Sequence, residues 1–163
     1  EPDYDVLMRG RLAILDRHGL KLHDIQEVIG TLSHLPGGKE FLDELRSLAQ
    51  VIILSDTFEQ FAQPLMRQLG WPALFCHRLV VENDRIVNYQ LRQPDQKRKS
   101  VAALKGLNYQ IIAAGDSFND TSMLGEADFG FLFHAPENVK QLFPQFKAVD
   151  AYADLLALIK ARL

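Results

Sequence analysis

The sequence predicts an α/β fold built on a parallel sheet, and three observations carry that expectation. Short apolar runs, Val51–Leu54, Ile111–Ala114 and Phe129–Phe133, alternate with stretches of helical period, the pattern of strands buried on both faces by helices that cross between them. A length of 163 residues is one domain's worth of chain and enough to bury a substantial core. Hydrophobic residues at 47% and charged residues at 24% lie near the averages for soluble globular proteins, which excludes disordered, collagen-like and disulfide-scaffold classes.

Taken in order, residues 3–34 open the chain as two helices with no strand between them. Val6 to Leu15 form the first, ending before His18-Gly19, and Ile25, Val28, Ile29 and Leu32 recur at i, i+3, i+4 and i+7 to mark the second. After the Pro36-Gly37-Gly38 turn, Phe41, Leu42, Leu45 and Leu48 line one face of a helix that leads into the buried strand Val51–Leu54. The next helix, over residues 58–69, carries Phe61, Leu65 and Leu69 on one side; Pro64 must begin a turn or kink it, and Gly70 ends it. Val87, Tyr89 and Leu91 alternate with polar neighbours and Asn83-Asp84 supplies a turn, so residues 79–92 read as a β-hairpin that need not join the main sheet. A helix over residues 97–107 precedes the strand Ile111–Ala114, and Phe129–Phe133 gives another strand before Pro136 opens a helix. Tyr152, Leu155, Leu156 and Ile159 make the closing helix, while Trp71 and the phenylalanine-rich stretch 129–146 read as core.

Charge and composition narrow the partners. Lys plus Arg number 18 against 21 Asp plus Glu, a net charge of −3 with no long basic stripe, so nucleic acid is not an expected partner. The single cysteine, Cys76, cannot form an internal disulfide and reads as a packed thiol. No apolar stretch approaches the roughly 18 residues of a membrane span, and the cytoplasm is the expected compartment. The five histidines, His18, His23, His34, His77 and His134, show no zinc-ligand spacing and are expected at the surface or as caps. Neither a Gly-x-Gly-x-x-Gly nor a phosphate-loop Gly-Lys-Ser is present, which argues against dinucleotide and ATP-loop enzymes.

Two of the apolar runs end alike. Val51–Leu54 is followed by Ser55-Asp56-Thr57, and Ile111–Ala114 by Gly115-Asp116-Ser117-Phe118-Asn119-Asp120. Ligands of open parallel sheets bind outside the carboxyl ends of strands, so both loops are expected to face one crevice. Asp116 and Asp120 can place two hard carboxylate oxygens around Mg²⁺. The same segment also reads as a helix start, capped by Asp116, Ser117 or Asn119 with Asp120 favouring the dipole. The spacing alone leaves both open.

The order strand–Ser, then Lys at a helix start, then strand–Gly-Asp-x-x-Asn-Asp resembles the haloacid dehalogenase (HAD) superfamily of phosphotransferases. The likeness runs from Pro2 to Lys160 and is nearest to its phosphoserine phosphatase branch, which includes the phosphoserine:homoserine phosphotransferases. It implies a HAD-like, Rossmannoid three-layer parallel sheet, with residues 1–35 a helical cap segment and 36–163 the core, the hairpin being an insertion. It implies Ser55 as a hydrogen-bond donor to the phosphoryl group, Lys97 (Lys99 as the alternative) as its counter-charge, and Asp116 and Asp120 as holders of Mg²⁺, with Asp120 acting through a metal-bound water. Lys97 is preferred because Val101 and Leu104 then fall on the buried side of the helix. Arg11 resembles the cap arginine that takes a substrate carboxylate, its alternative being a surface arginine, and Asn119 would contact the substrate or phosphoryl group. Ser55-Asp56-Thr57 stands where ordinary members carry Ser-Gly-Gly, as in the phosphotransferase-like subgroup, which places Asp56 and Thr57 among the substrate contacts.

The family's nucleophile is an Asp at the end of a first strand, with a second acidic residue two positions on. Asp3-Tyr4-Asp5 imitates that spacing but enters a helical pattern, so it reads as helix-start acid. The resemblance therefore implies that nucleophile, acid/base partner and first strand precede Glu1, and that without them this stretch folds poorly and is inactive. The implied activity is a Mg²⁺-dependent phosphoserine phosphatase, with homoserine as an alternative acceptor and a small phosphorylated amino acid as partner. The alternatives are a non-catalytic remnant that binds a phosphorylated ligand or another protein, and, for assembly, a homodimer.

Overall fold

The computed structural model describes residues 4–163. Its elements are α1 (Tyr4–Arg17), α2 (Leu22–Gly30), α3 (Gly38–Leu48), β1 (Ile52–Phe58), α4 (Glu59–Gln68), β2 (Ala73–Glu82), β3 (Arg85–Gln90), α5 (Gln96–Gly106), β4 (Ile112–Gly115), α6 (Thr121–Glu126), β5 (Phe129–Phe133), α7 (Glu137–Leu142), β6 (Lys147–Val149) and α8 (Tyr152–Lys160), with a 3₁₀ turn at Phe118–Asp120. The chain divides into two compact units, one of residues 1–35 and 55–94, the other of residues 36–54 and 95–163. Among the described residues no helix is long and apolar enough to cross a membrane.

The second unit is the α/β/α sandwich. Its sheet has the order β4-β5-β6 with both pairings parallel, Ala114 opposite Phe131 and Leu132 opposite Ala148. Side chains alternate between the two faces. Ile112, Phe129, Phe131, Phe133 and Val149 pack with Phe41 and Leu45 of α3 and Leu155 and Ile159 of α8. Ala113, Leu132 and Ala148 face the other way, onto Val101 of α5, Met123 and Leu124 of α6 and Val139 of α7. Leu132, Leu124, Val101 and Val139 are essentially inaccessible, and burial of such a side chain stabilises by about 1.5–3 kcal/mol. Gly130 sits on the α6 face, where an added Cβ would lie 2.5 Å from the Leu124 carbonyl oxygen, so the helix approaches the strand backbone directly.

In the first unit, β2 and β3 form the hairpin, joined by Asn83 and Asp84, both in the left-handed region, and paired Glu82 to Arg85 with an irregularity at Val80/Val81. The predicted hairpin began at residue 79, but β2 starts six residues earlier, because the run Leu74-Phe75-Cys76 extends the strand. Met8, Phe58, Leu79 and Ile86 form its core, flanked by Leu12, Leu15, Leu22, Ile25 and Tyr89. Pro64 lies inside α4 and supplies no N–H to the Gln60 carbonyl; Gln26 Nε2 donates to that oxygen at 2.8 Å instead. Gln60's own amide bonds Leu79 in both directions, accepting from its N–H at 3.0 Å and donating to its carbonyl at 2.9 Å.

Three expectations are corrected. The strand starting near Val51 does not stop at Leu54 but runs through Phe58, and it is hydrogen-bonded in the order β1-β2-β3 instead of joining the parallel sheet. Edge amides and carbonyls of β1 need partners, and β2 offers a row of them. Trp71 is 58% exposed, at positive φ in the turn that follows α4, and is not core. His77 is 5% exposed and is neither surface nor cap. Cys76 is fully buried, as expected. Of the Asp3-Tyr4-Asp5 trio, Asp3 lies outside the described residues; Asp5 sits in the first turn of α1, bonded to Arg9 at 2.6 Å and Tyr89 Oη at 2.5 Å.

Two predictions follow from this architecture. Asp84 clasps the start of α2: its carboxylate bonds His23 Nδ1 and accepts the His23 N–H at 3.2 Å, and its carbonyl accepts the Leu22 N–H at 2.8 Å. The bond to Asp84 raises the His23 imidazole above its ordinary 6.5, and the bond to His23 lowers the Asp84 carboxyl below 3.8. The histidine's contribution is complete below 6.5 and disappears as pH rises through its raised folded value; the aspartate's is complete above 3.8 and disappears as pH falls through its lowered one. Thermal unfolding of the complete protein should show Asp84→Asn most destabilising near pH 5 to 6, with the gap to wild type narrowing by about pH 8.5. Gly130→Ala should destabilise by about 1–3 kcal/mol in denaturant titrations, since the Leu124 carbonyl must move.

Candidate active site

The loop after β4 is organised by one carboxylate. Asp120 is buried, and its Oδ2 accepts hydrogen bonds from the Asp116 N–H at 3.0 Å, the Ser117 N–H at 3.1 Å and Ser117 Oγ at 3.0 Å. Its Oδ1 accepts from Lys97 Nζ at 2.8 Å, an ion pair with side chains 11% and 9% exposed. Such a closed loop requires Gly115, where a Cβ would lie 2.5 Å from Asp120 Cβ and 2.6 Å from its Cγ. The segment is thus also the helix start that the spacing allowed: Ser117 caps the 3₁₀ turn and Asp120 returns to its backbone as in a capping box. Burial pushes the Asp120 carboxyl upward, but the Lys97 bond and charge, with the Ser117 donors, outweigh it and leave the group below its usual value, ionised at neutral pH.

The sequence-predicted residues of the second unit are therefore gathered in one place. Asp116 stands exposed beyond the carboxyl end of β4, and among the described residues its carboxylate has no hydrogen-bond or ion-pair partner. Asn119 is exposed on the same turn, its side-chain amide beside Ser117 Oγ. Lys97 is the buried lysine of α5 and the one that reaches the loop; Lys99 is only half-buried and has no ion-pair partner among the described residues. Val101, one turn further along the same side of α5, anchors the helix in the core.

Within the first unit, Ser55, Asp56 and Thr57 are half-buried residues of β1, and Ser55 Oγ accepts the Thr57 N–H at 3.2 Å. Asp56 Oδ1 lies 3.8 Å from Nε2 of His77 on β2. Arg11 is exposed on α1, beside the apolar face formed by Met8, Leu12 and Leu15, without an ion-pair partner among the described residues. His77 and its neighbours Arg92 and Glu59 escaped the sequence reading. The apolar run Leu74-Phe75-Cys76 just before His77, which continues the hairpin strand backward from residue 79, is the sequence signal that could have found His77.

Mg²⁺ fits part of this set. Asp116 offers an uncommitted hard oxygen at the strand end, the donor type this cation takes. Asp120 has both oxygens engaged by Lys97 and the loop, so its fit is as a partner of Asp116's backbone and not as a direct ligand. Among the described residues no three His, Cys, Asp or Glu side chains converge as a complete ligand group, so Asp116 would supply one ligand of several.

Comparison with known proteins accords with this architecture. A haloacid dehalogenase-like hydrolase model matches residues 3–128. The chain is 66% identical over 155 residues to a phosphoserine phosphatase of Pseudomonas syringae pv. tomato and, over the same length, 66% identical to phosphoserine phosphatase ThrH of Pseudomonas aeruginosa. Each match takes in 94% of this chain, which spans 65% of the first relative's length and 76% of the second's. Among solved structures, a phosphoserine phosphatase from T. onnurineus superposes with a TM-score of 0.67 at 22% identity, covering 90% of this chain and 71% of that one. A phospho-aspartyl intermediate analogue of phosphoserine phosphatase reaches 0.71 at 19% identity, covering 85% and 70%. These two likenesses show the α/β fold, and the family match together with the two Pseudomonas relatives settles the lineage: the chain belongs to the haloacid dehalogenase-like hydrolases.

Proposed function

We propose that the protein containing this chain is a Mg²⁺-dependent phosphoserine phosphatase that also passes the phosphoryl group to homoserine. The observation that carries the hydrolase is the 66% identity, over 94% of the chain, to two proteins named phosphoserine phosphatase. The loop geometry supports it: a buried lysine–aspartate pair fixes the turn that holds Asp116 at the end of a parallel strand. Ser55-Asp56-Thr57, in place of Ser-Gly-Gly, supports homoserine as second acceptor.

The proposed reaction follows the family's order. The aspartate that the family carries on its first strand attacks phosphorus, the bond to the serine oxygen breaks, and the acidic neighbour protonates that oxygen. Water or the homoserine hydroxyl then attacks the aspartyl-phosphate, giving its proton to the same acidic group and restoring the carboxylate. Ser55 donates a hydrogen bond to a phosphoryl oxygen, and Lys97, paired with Asp120, offsets phosphoryl negative charge. Asp116 is the residue that would hold Mg²⁺, which when bound neutralises phosphoryl charge. Arg11 takes the substrate carboxylate, and Asp56, Thr57 and Asn119 complete the substrate contacts.

Phosphate release from phosphoserine by the complete protein, with and without Mg²⁺, tests the activity; transfer to homoserine is read as phosphohomoserine formed in the same reaction. Asp116→Asn should lower turnover by roughly a hundredfold or more. Lys97→Ala should do the same and also destabilise the protein by about 3 kcal/mol, because it leaves the Asp120 charge buried without its cation. Lys99→Ala should stay within about threefold of wild type. Turnover in Lys97→Ala matching that of Lys99→Ala would transfer the assignment away from Lys97.

A further inference from the structure

The first unit contains a buried imidazole whose protonation is dictated by its neighbours. His77 projects from β2 beside the Phe58 ring, with centroids 6.1 Å apart. Its Nδ1 receives the Arg92 backbone N–H at 3.1 Å. A backbone N–H can only donate, so Nδ1 must present a lone pair, and the ring carries its single proton on Nε2. Protonating Nδ1 would set two N–H groups against each other in a buried site. Nε2 is the atom nearest Asp56 Oδ1, at 3.8 Å, beyond a direct hydrogen bond, so what the neutral ring turns toward the carboxylate is an N–H dipole and not a charge.

The residue that fixes the ring is itself fixed. Arg92 donates from Nε to the Cys76 carbonyl at 2.8 Å and from an Nη to Glu59 Oε1 at 3.1 Å, while Arg78 holds the other Glu59 oxygen at 3.1 Å. Glu59 is the first residue of α4, which begins directly after β1. The strand bearing Ser55-Asp56-Thr57 is thereby bracketed, His77 facing its carboxylate and Glu59 tethering its end to the hairpin. A side chain 5% exposed, with one ring nitrogen committed to backbone, has little freedom to turn away.

We infer that His77, as the neutral Nε2–H tautomer, is a positioning residue that orients the Asp56 carboxylate and so tunes substrate recognition by the Ser55-Asp56-Thr57 segment. The inference rests on the phosphoserine phosphatase reading for its kinetic consequence, and on the imidazole geometry alone for its tautomer.

Two measurements on the complete protein separate these layers. In ¹⁵N-resolved imidazole spectra near neutral pH, His77 should show a proton on Nε2 and none on Nδ1, and its Nε2 signal should move in Asp56→Asn. A proton on Nδ1, or an unmoved signal, overturns the inference whatever the substrate proves to be. In kinetics, His77→Asn keeps an acceptor for the Arg92 N–H but offers no donor toward Asp56; it should raise KM for phosphoserine about tenfold with kcat within about threefold. His77→Gln, which extends a donor toward the Nε2 position, should recover most of that loss, and His77→Asn added to Asp56→Asn should cost nothing more. A residue that served structure alone would give the opposite order, with Asn close to wild type in kinetics and Gln impaired along with its melting temperature. Absence of phosphoserine turnover in the wild-type protein would remove the proposed activity while leaving the tautomer result to stand or fall by itself.

Discussion

The buried pair between Lys97 and Asp120 is the constraint on which the candidate site depends. Charges taken out of water are costly, and one survives there because the other, together with three loop donors, surrounds it. The consequence is geometric. Asp120 cannot leave without exposing Lys97 to the same cost, so the turn after β4 has one arrangement, and the exposed carboxylate of Asp116 inherits its position from a group behind it. Gly115 belongs to the same constraint, because the space that a methyl group would take is occupied by Asp120 itself.

The sheet beneath supplies the rigidity that this loop needs. Both faces of β4, β5 and β6 are covered, one by α3 and α8 and the other by α5, α6 and α7, so the strand ends do not shift independently. α5 contributes twice, since Val101 anchors it in the core while Lys97, one helical turn earlier, reaches the loop. A lysine held this way resembles a spacer of set length more than a flexible surface cation. The first unit is tied together by other means: the Gln60 amide links α4 to β2, and the buried His77 imidazole links β2 to the segment after β3.

Much of this was legible in the chain itself, for identifiable reasons. The strand Phe129–Phe133 was exact because continuous apolar runs bounded by turns have few alternatives, and the Asn83-Asp84 turn was found because two short polar residues tolerate positive φ. Lys97 was preferred to Lys99, which stayed open as the alternative, because helical period placed Val101 inward. What escaped depended on partners distant in sequence. No local pattern says that β1 will pair with β2, since strand pairing is decided by which edges remain open. Trp71 was assigned to the interior by residue type, whereas its place in a positive-φ turn leaves it outside. His77 was discounted because its role comes from the Arg92 backbone fifteen residues away, and β6, three residues long, was too short to show a period.

Pro64 in α4 carries a consequence for how this sequence can drift. Its ring deprives the Gln60 carbonyl of a helical donor, and Gln26, from another helix, provides the replacement. Positions 26 and 64 are therefore bound to each other across thirty-eight intervening steps of chain. A descendant that exchanged the proline for an ordinary residue would regain its own N–H and free position 26 to vary, whereas loss of the glutamine first would strand a carbonyl. The order of substitutions is thus biased: along any neutral path the proline goes before the amide.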